Sequence, residues 1–280
     1  RFDGEAGDGF PLIGEVLHGD YNLIVNDEML DSCTNYECYK GLYSSFNSMN
    51  MFEIAHSLHR QFGGDPWCIY RGKHLVNFAD NHDVTRLASI LTCKEHLRGA
   101  YGVLFGMPGI PCLYYGSEWG QLGQKGTGYL ADVEIRPQLD APAADALEHL
   151  ADGWEGGGAP NQLTGYISEL NHVRRASRAL CHGSYRNVVI TNKQLLFERD
   201  APASAGRGAE CVLVAVNAED VPFTLNDGAL NGRFEVLLAS APCADDPNAA
   251  PDYPQTGDLL ELEGSLTLLP YGVLYLRRAM

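Results

Sequence analysis

Four strand–helix units, half of a (β/α)8 TIM barrel, followed by an antiparallel β-sandwich: this α/β then all-β fold class is what the 280-residue sequence predicts. Three observations carry it. Up to Leu180, short apolar runs ending in polar residues alternate with longer stretches of helical period. Beyond it, only short β-leaning runs remain, bounded by Gly, Pro, Asn and Asp. In the first part, polar clusters follow their apolar runs and never precede them, the arrangement of functional groups at the C-terminal face of a barrel.

The elements read in order. Phe10-Pro11-Leu12-Ile13-Gly14 is a strand that delivers Glu15, and the loop after it carries His18, Asp20 and Tyr21. Asp31 to Tyr36 is short, β-leaning and ends in Asn35 and Tyr36. Phe46 to Phe62 reads as one helix, with Met49, Phe52, Ile54, Ala55, Leu58 and Phe62 near helical spacing. Leu75 to Phe78 is the next strand and runs into Ala79-Asp80-Asn81-His82-Asp83. Lys94 to Phe105 is a helix, Ile110 to Tyr115 a strand, and Leu163 to Leu180 a helix with Ile167, Leu170, Val173 and Ala176 on its apolar side. The hinge falls near Cys181-His182-Gly183 and divides the chain into a partial barrel, 1–180, and a β-domain, 181–280. Strands of the second part are read at 188–190, 194–198, 211–216, 234–238, 259–262 and 273–276. Asp200 to Ala209 and Cys243 to Thr256, rich in Ala, Pro, Gly and Asp, read as exposed loops.

Composition narrows the classes of function. A formal charge of -16 repels a phosphate backbone, so nucleic acid is not expected as a partner. No apolar run is long enough to span a bilayer, which takes about 18 residues or more. The eight cysteines include none spaced as C-x-x-C, and several, such as Cys112 and Cys211, lie inside apolar runs. No metal site is expected through them, and their placement leans towards the reduced thiols of a cytoplasmic protein.

Glu15 and Asp83 are two carboxylates launched from the ends of apolar strands, the raw material of acid/base chemistry. Gly14-Glu15-Val16 and Phe78-Ala79-Asp80-Asn81-His82-Asp83 resemble the third and fourth conserved regions of glycoside hydrolase family 13, the α-amylase family. Gly109-Ile110-Pro111-Cys112-Leu113-Tyr114-Tyr115-Gly116-Ser117-Glu118-Trp119-Gly120 is similar to the G-x-P-x-x-Y-Y-G-x-E-x-G pattern on that family's eighth barrel strand. The resemblance implies that the four strands are the fifth to eighth of the barrel. It implies Glu15 as general acid, Asp83 as the carboxylate that stabilises the transition state, and His82 as a donor to a sugar hydroxyl. Asn81 is expected to fix loop geometry beside the substrate, and Arg86 to orient a catalytic carboxylate. His18 and Tyr21 are candidates for a leaving-group subsite, with local loop stabilisation as the alternative. The implied activity is retaining acid/base cleavage of α-glucosidic bonds in starch or maltodextrin-type substrates, with an α-glucan or malto-oligosaccharide as partner and no organic cofactor. The family's calcium ligands belong mainly to the other half of the barrel.

The resemblance covers almost all of this chain and about half of a family member. Arg1-Phe2-Asp3 matches the family's R-x-D nucleophile pattern. Residues 4–10 are too few for a parallel crossover before Pro11, which takes about a dozen residues or more, so the preferred reading is the tail of a preceding helix and its loop. The same residues serve transglycosylation or sugar isomerisation within the family, and a non-catalytic carbohydrate-binding or assembly fragment is the reading from another class. On the retaining reading, the 280 residues alone are expected to release little or no reducing sugar from maltoheptaose, whereas a version extended upstream by the first four strands is active. Strong activity of the purified short chain would overturn this and make Asp3 the nucleophile.

Overall fold

A computed structural model describes residues 10–139, 159–204, 206–242 and 253–279. Asp3 and most of the loop expected at Cys243 to Thr256 lie outside the described residues. Four short parallel strands run side by side in chain order: β1 (Ile13–Gly14), β2 (Ser32–Cys33), β3 (Val76–Phe78) and β4 (Ile110–Cys112). Ile13 stands opposite Ser32 and Val76 opposite Ile110, and a bridge between Thr34 and Val76 joins the two pairs. The strands are shorter than the apolar runs because side chains take over the ladder at their ends. Leu12 N donates to Asp31 Oδ2 (2.9 Å), and Val16 N donates to Thr34 Oγ1 (3.0 Å).

Two helices, α1 (Tyr36–Asn47) and α2 (Phe52–Phe62), replace the single helix expected over 46–62. Asn35 starts the first rather than ending a strand: its buried side chain accepts from Cys38 N, an N-cap. The break falls at Met49, whose φ of 49° is left-handed, and Met51 N then donates to Asn192 O, which ties the turn to the β-sheet. Apolar spacing does not register this break, because Met51 in the turn is as buried as the helix residues around it. The helix expected over Leu163 to Leu180 is likewise two, α5 (Gln162–Ala176) and α6 (Arg178–His182). Ser177 is extended between them, and its side chain caps the second by accepting from Leu180 N.

A one-turn α3 (Leu87–Ile90) precedes α4 (His96–Gly106), every residue of which is buried. A helix apolar on all sides belongs in the interior. Gly99, Gly102 and Gly106 form a flat stripe on it; a β-carbon at Gly106 would stand 2.9 Å from Phe197. Among the described residues no helix is long and apolar enough to cross a membrane.

Beyond Gly183 the chain forms β5 (Ser184–Ile190), β6 (Gln194–Ala201), β7 (Glu210–Asn217), β8 (Phe223–Ser240), β9 (Leu259–Leu268) and β10 (Val273–Arg278). These make one antiparallel sheet ordered β5-β6-β7-β10-β8-β9, where the sequence suggests a sandwich of two. The sheet curls enough for β5 to touch β8, four places away in the order. Strand β8 is far longer than the 234–238 segment read from sequence, since Asn226, Asp227, Gly228 and Asn231 mask it around an irregularity in its pairing with β9. Successive residues point to opposite faces. Phe197, Val212, Val214, Val216 and Tyr275 join the helices in one apolar core, while Leu196, Leu213, Ala215, Leu274 and Leu276 build a second cluster on the far face.

The carbonyls at the end of α4 have no intrahelical partner. Two buried arginines supply the donors. Arg174, from α5, donates to Phe105 O, Met107 O and Gly109 O, and Arg199, from β6, donates to Gly106 O, Gly183 O and Ser184 O. Burial lowers the Arg199 guanidinium to about 9, which leaves it cationic at neutral pH. The Arg199→Leu variant strands the buried Gly106 carbonyl and removes the donor from two less buried ones, so a loss of at least about 1–3 kcal/mol in urea unfolding is expected; wild-type stability in that variant would contradict the assignment.

Burial also lowers His74, His96 and His182 below the ordinary 6.5, with nearby Arg174 and Arg199 adding to the effect at His74 and His182. At these three histidines the unfolded chain therefore binds more protons than the folded one once pH falls below 6.5. Stability is fully present above that value and is expected to drop as the pH is lowered from 7.5 towards 5.5. Urea unfolding across this range checks it, with a shallower slope in His96→Gln; a curve that is flat or rises towards acid would refute it.

Candidate active site

Glu15 leaves β1 at the same end at which His82 and Asp83 follow β3, with β2 between the two strands. Tyr36, in the first turn of α1, donates from Oη to Glu15 Oε1 at 3.2 Å. Asn81 Nδ2 donates to the same phenol at 3.0 Å, and Asn81 Oδ1 accepts from Asp83 N at 2.9 Å. His82 Nε2 lies 4.0 Å from Glu15 Oε1 and 3.2 Å from Asp83 Oδ2. One ligating atom from each of Glu15, His82 and Asp83 falls within 4.8 Å of the others. The three side chains are 44%, 46% and 37% exposed, so the group opens to solvent. Burial raises the Tyr36 phenol, and the charges of Glu15 and Asp83 add to that, which keeps it a proton donor to Glu15.

Arg136 completes the group and carries no sequence signal that links it to Asp83. Its Nη2 stands 2.7 Å from Asp83 Oδ1 and 2.8 Å from Asp132 Oδ2, and its Nε donates to His82 O at 2.8 Å. Lys125 Nζ donates to Asp83 O at 2.6 Å. The segment that supplies both cations lies between β4 and α5, outside any regular strand or helix, so no periodicity points to it. Two carboxylates and an imidazole this close suit a cation chemically, but Arg136 and Lys125 already provide positive charge there.

Arg86 is placed differently from expectation. It is fully buried at the start of α3, and its guanidinium donates to Ile135 O (3.0 Å), Tyr115 O (2.6 Å) and Ser117 Oγ (3.2 Å) while lying 4.1 Å from the Tyr114 ring centre. It braces the strand ends from behind instead of orienting Asp83. Beside it, Asp80 is buried, accepts from Ser117 Oγ and Leu87 N at 2.7 Å each, and has its carboxyl raised by burial.

Tyr21 lines the same open depression as His18 but is only 3% exposed. It is buried, stacks on Tyr70 with ring centres 5.1 Å apart, and its backbone N–H donates to Tyr70 Oη. Asp20 caps the short turn that begins there. His18 stays exposed on the loop, in an open depression shared with Tyr36, Tyr39 and Arg60. Asn35 is buried away from the group and bonds Gln61 and Asn77 at 2.8 Å each. Of the two tyrosines after β4, Tyr114 lies 6.5 Å ring to ring from His82, whereas Tyr115 donates its hydroxyl to Pro137 O.

No family model matches the chain. A 4-alpha-glucanotransferase of Thermotoga maritima is 40% identical over 62 residues, 21% of this chain and 13% of that protein. Alpha-amylase 3 of Dictyoglomus thermophilum is 25% identical over 217 residues, 66% of this chain and 39% of its own length. Among solved structures, the α-amylase of Geobacillus thermoleovorans complexed with acarbose superposes with a TM-score of 0.68 at 16% identity, over 98% of this chain and 54% of that one. The chain thus spans well under two thirds of each protein it resembles. Sequence similarity to an amylase over about two thirds of this chain, and a fold shared with a second amylase over nearly all of it, agree with the motifs at Glu15 and Asp83: the chain is similar to proteins of the α-amylase family.

Proposed function

We propose that this chain supplies the acid/base side of a retaining α-glucosidase-type site for starch or malto-oligosaccharides. The observation that carries the reading is the meeting of Glu15, His82 and Asp83 from two separate strand ends. In the proposed reaction Glu15 protonates the glycosidic oxygen as the bond to the leaving sugar breaks. It then takes a proton from the water that releases the product. Asp83 places its charge beside the developing oxocarbenium ion, and His82 donates to a ring hydroxyl, a bond that strengthens as charge develops. Tyr36 holds Glu15 by its hydrogen bond, and Arg136 holds Asp83 through the ion pair. The attacking carboxylate comes from the part of the family's barrel that precedes these strands.

On this reading β1 to β4 correspond to the fifth to eighth barrel strands, residues 1–180 belong to the catalytic barrel, and residues 181–280 form a β-domain without a catalytic group. A second reading, glucan transfer, is favoured by the 40% identity to a glucanotransferase. A sugar hydroxyl then replaces water as the acceptor, and Glu15 takes its proton.

In an active form of the protein, Glu15→Gln is expected to lower kcat on maltoheptaose by about 10²–10⁴-fold, and full activity in that variant would sink the general-acid role. Longer products from maltoheptaose, read by chromatography, would select transfer over hydrolysis. Arg136→Met, which frees Asp83 from its partner, is expected to cost up to about 10² in kcat with little change in KM, and Arg136→Lys to recover part of it. A change confined to KM would make Arg136 a binding group instead.

A further inference from the structure

The loop after α2 holds a second convergence of ligating groups, which shares no residue with the Glu15–His82–Asp83 group. His59, in the last turn of α2, has Nε2 2.8 Å from Asp65 Oδ2. Cys68 Sγ–H donates to His59 O at 3.0 Å. One ligating atom from each of His59, Asp65 and Cys68 lies within 4.8 Å of the others. Ligand atoms around tetrahedral zinc stand about 3.3–3.8 Å apart, given bonds of about 2.0–2.3 Å, so the three need only small side-chain rotations to close on an ion.

The loop that carries them is already fixed. Cys68 N donates to Asp65 O, Ile69 N to Arg60 O, and Arg71 reaches Gly64 O and Asp65 O. Gly63 makes the approach of the ligands feasible: a β-carbon there would stand 2.8 Å from His59 Nδ1 and 3.0 Å from Cys68 Sγ. Cys68 is nearly buried at 9% exposure, while the His59 and Asp65 side chains are 32% and 50% exposed. One side therefore stays open for a water ligand. Trp67 flanks the imidazole edge-on, ring centres 5.1 Å apart.

From these observations we infer that His59, Asp65 and Cys68 form a binding site for a single borderline-soft divalent cation of the zinc type. A hard ion such as calcium or magnesium takes oxygen ligands and does not select a thiolate and an imidazole. Binding forms the metal–sulfur bond as the Cys68 thiol loses its proton to solvent, so affinity rises with pH. His59 O loses the thiol donor but keeps Gly63 N at 2.8 Å. The mixed ligand set, His59-x5-Asp65-x2-Cys68, explains why cysteine spacing alone gives no sign of the site.

The test uses the full chain stripped with chelator. Zn²⁺ is titrated by calorimetry, and Co²⁺ is used for its thiolate-to-metal charge-transfer absorption. The wild type is expected to bind one ion saturably, to show the charge-transfer band, and to melt at higher temperature with excess Zn²⁺. Cys68→Ser is expected to abolish the band, and Asp65→Asn to weaken binding by about 10–100-fold. Glu15→Gln is expected to leave binding unchanged, which separates this site from the Glu15–His82–Asp83 group. If Cys68→Ser does not fold, His59→Gln and the half-exposed Asp65→Asn decide. No saturable binding by the wild type, no charge-transfer band, or undiminished affinity in these ligand variants would overturn the inference.

Discussion

The last turn of α4 places the carbonyls of Phe105, Gly106 and Met107 in the interior, and two arginines on different elements reach in to bind them. Arg174 comes from α5 and Arg199 from β6, so one cluster of helix-end carbonyls joins the helices to the antiparallel sheet. A helix C-terminus carries partial negative charge, which suits cations there. The cost of burying two guanidinium groups is offset by the six backbone carbonyls they satisfy. Without them, the turn into β4 would carry several unpaired buried acceptors.

That turn sets the geometry of the site. Gly109, at φ 104°, passes so close to Asn77 that a β-carbon would stand 2.4 Å from Asn77 Nδ2. Asn77 in turn donates to Pro108 O and accepts from Asn35, which also binds Gln61 of α2. This buried polar chain is satisfied at each of these bonds, and such networks fix one arrangement because an unpaired member is expensive. It holds β3 against β4 in the register Val76 to Ile110 and thereby fixes where Asn81, His82 and Asp83 emerge. Glu15 is set by the other half of the same strand run, through β1 and β2.

The site is built in layers. Glu15, His82 and Asp83 face solvent; Tyr36 and Arg136 hold the two carboxylates from either side. Behind them, Asp80, Ser117 and Arg86 form a buried group that anchors the strand ends. Arg136, not Arg86, takes the place beside Asp83 that the sequence suggests for Arg86. Arg86 stands close to Asp83 in the chain but begins a helical turn that points it inward, whereas Arg136 arrives from a long excursion after β4.

Local sequence determined a good deal. The polar strand ends at Glu15 and Asp83, the buried α4, and the switch to antiparallel strands after Gly183 are all legible, because each is written in apolar spacing or in a short motif. Helix breaks at Met49 and Ser177 were not, since burial at both helices continues the same apolar pattern across the break. The length of β8 was hidden by its Asn, Asp and Gly residues, and its pairing with β9 and β10 had to be seen. Tyr21 reads as a loop residue, yet stacking on Tyr70 buries it. The partnership of Arg136 with Asp83, and the convergence of His59, Asp65 and Cys68, depend on loops whose paths are fixed by contacts distant in the chain. Sequence periodicity records which face of an element is buried; it does not record which loop will lie beside it, and that is what only the tertiary structure decided.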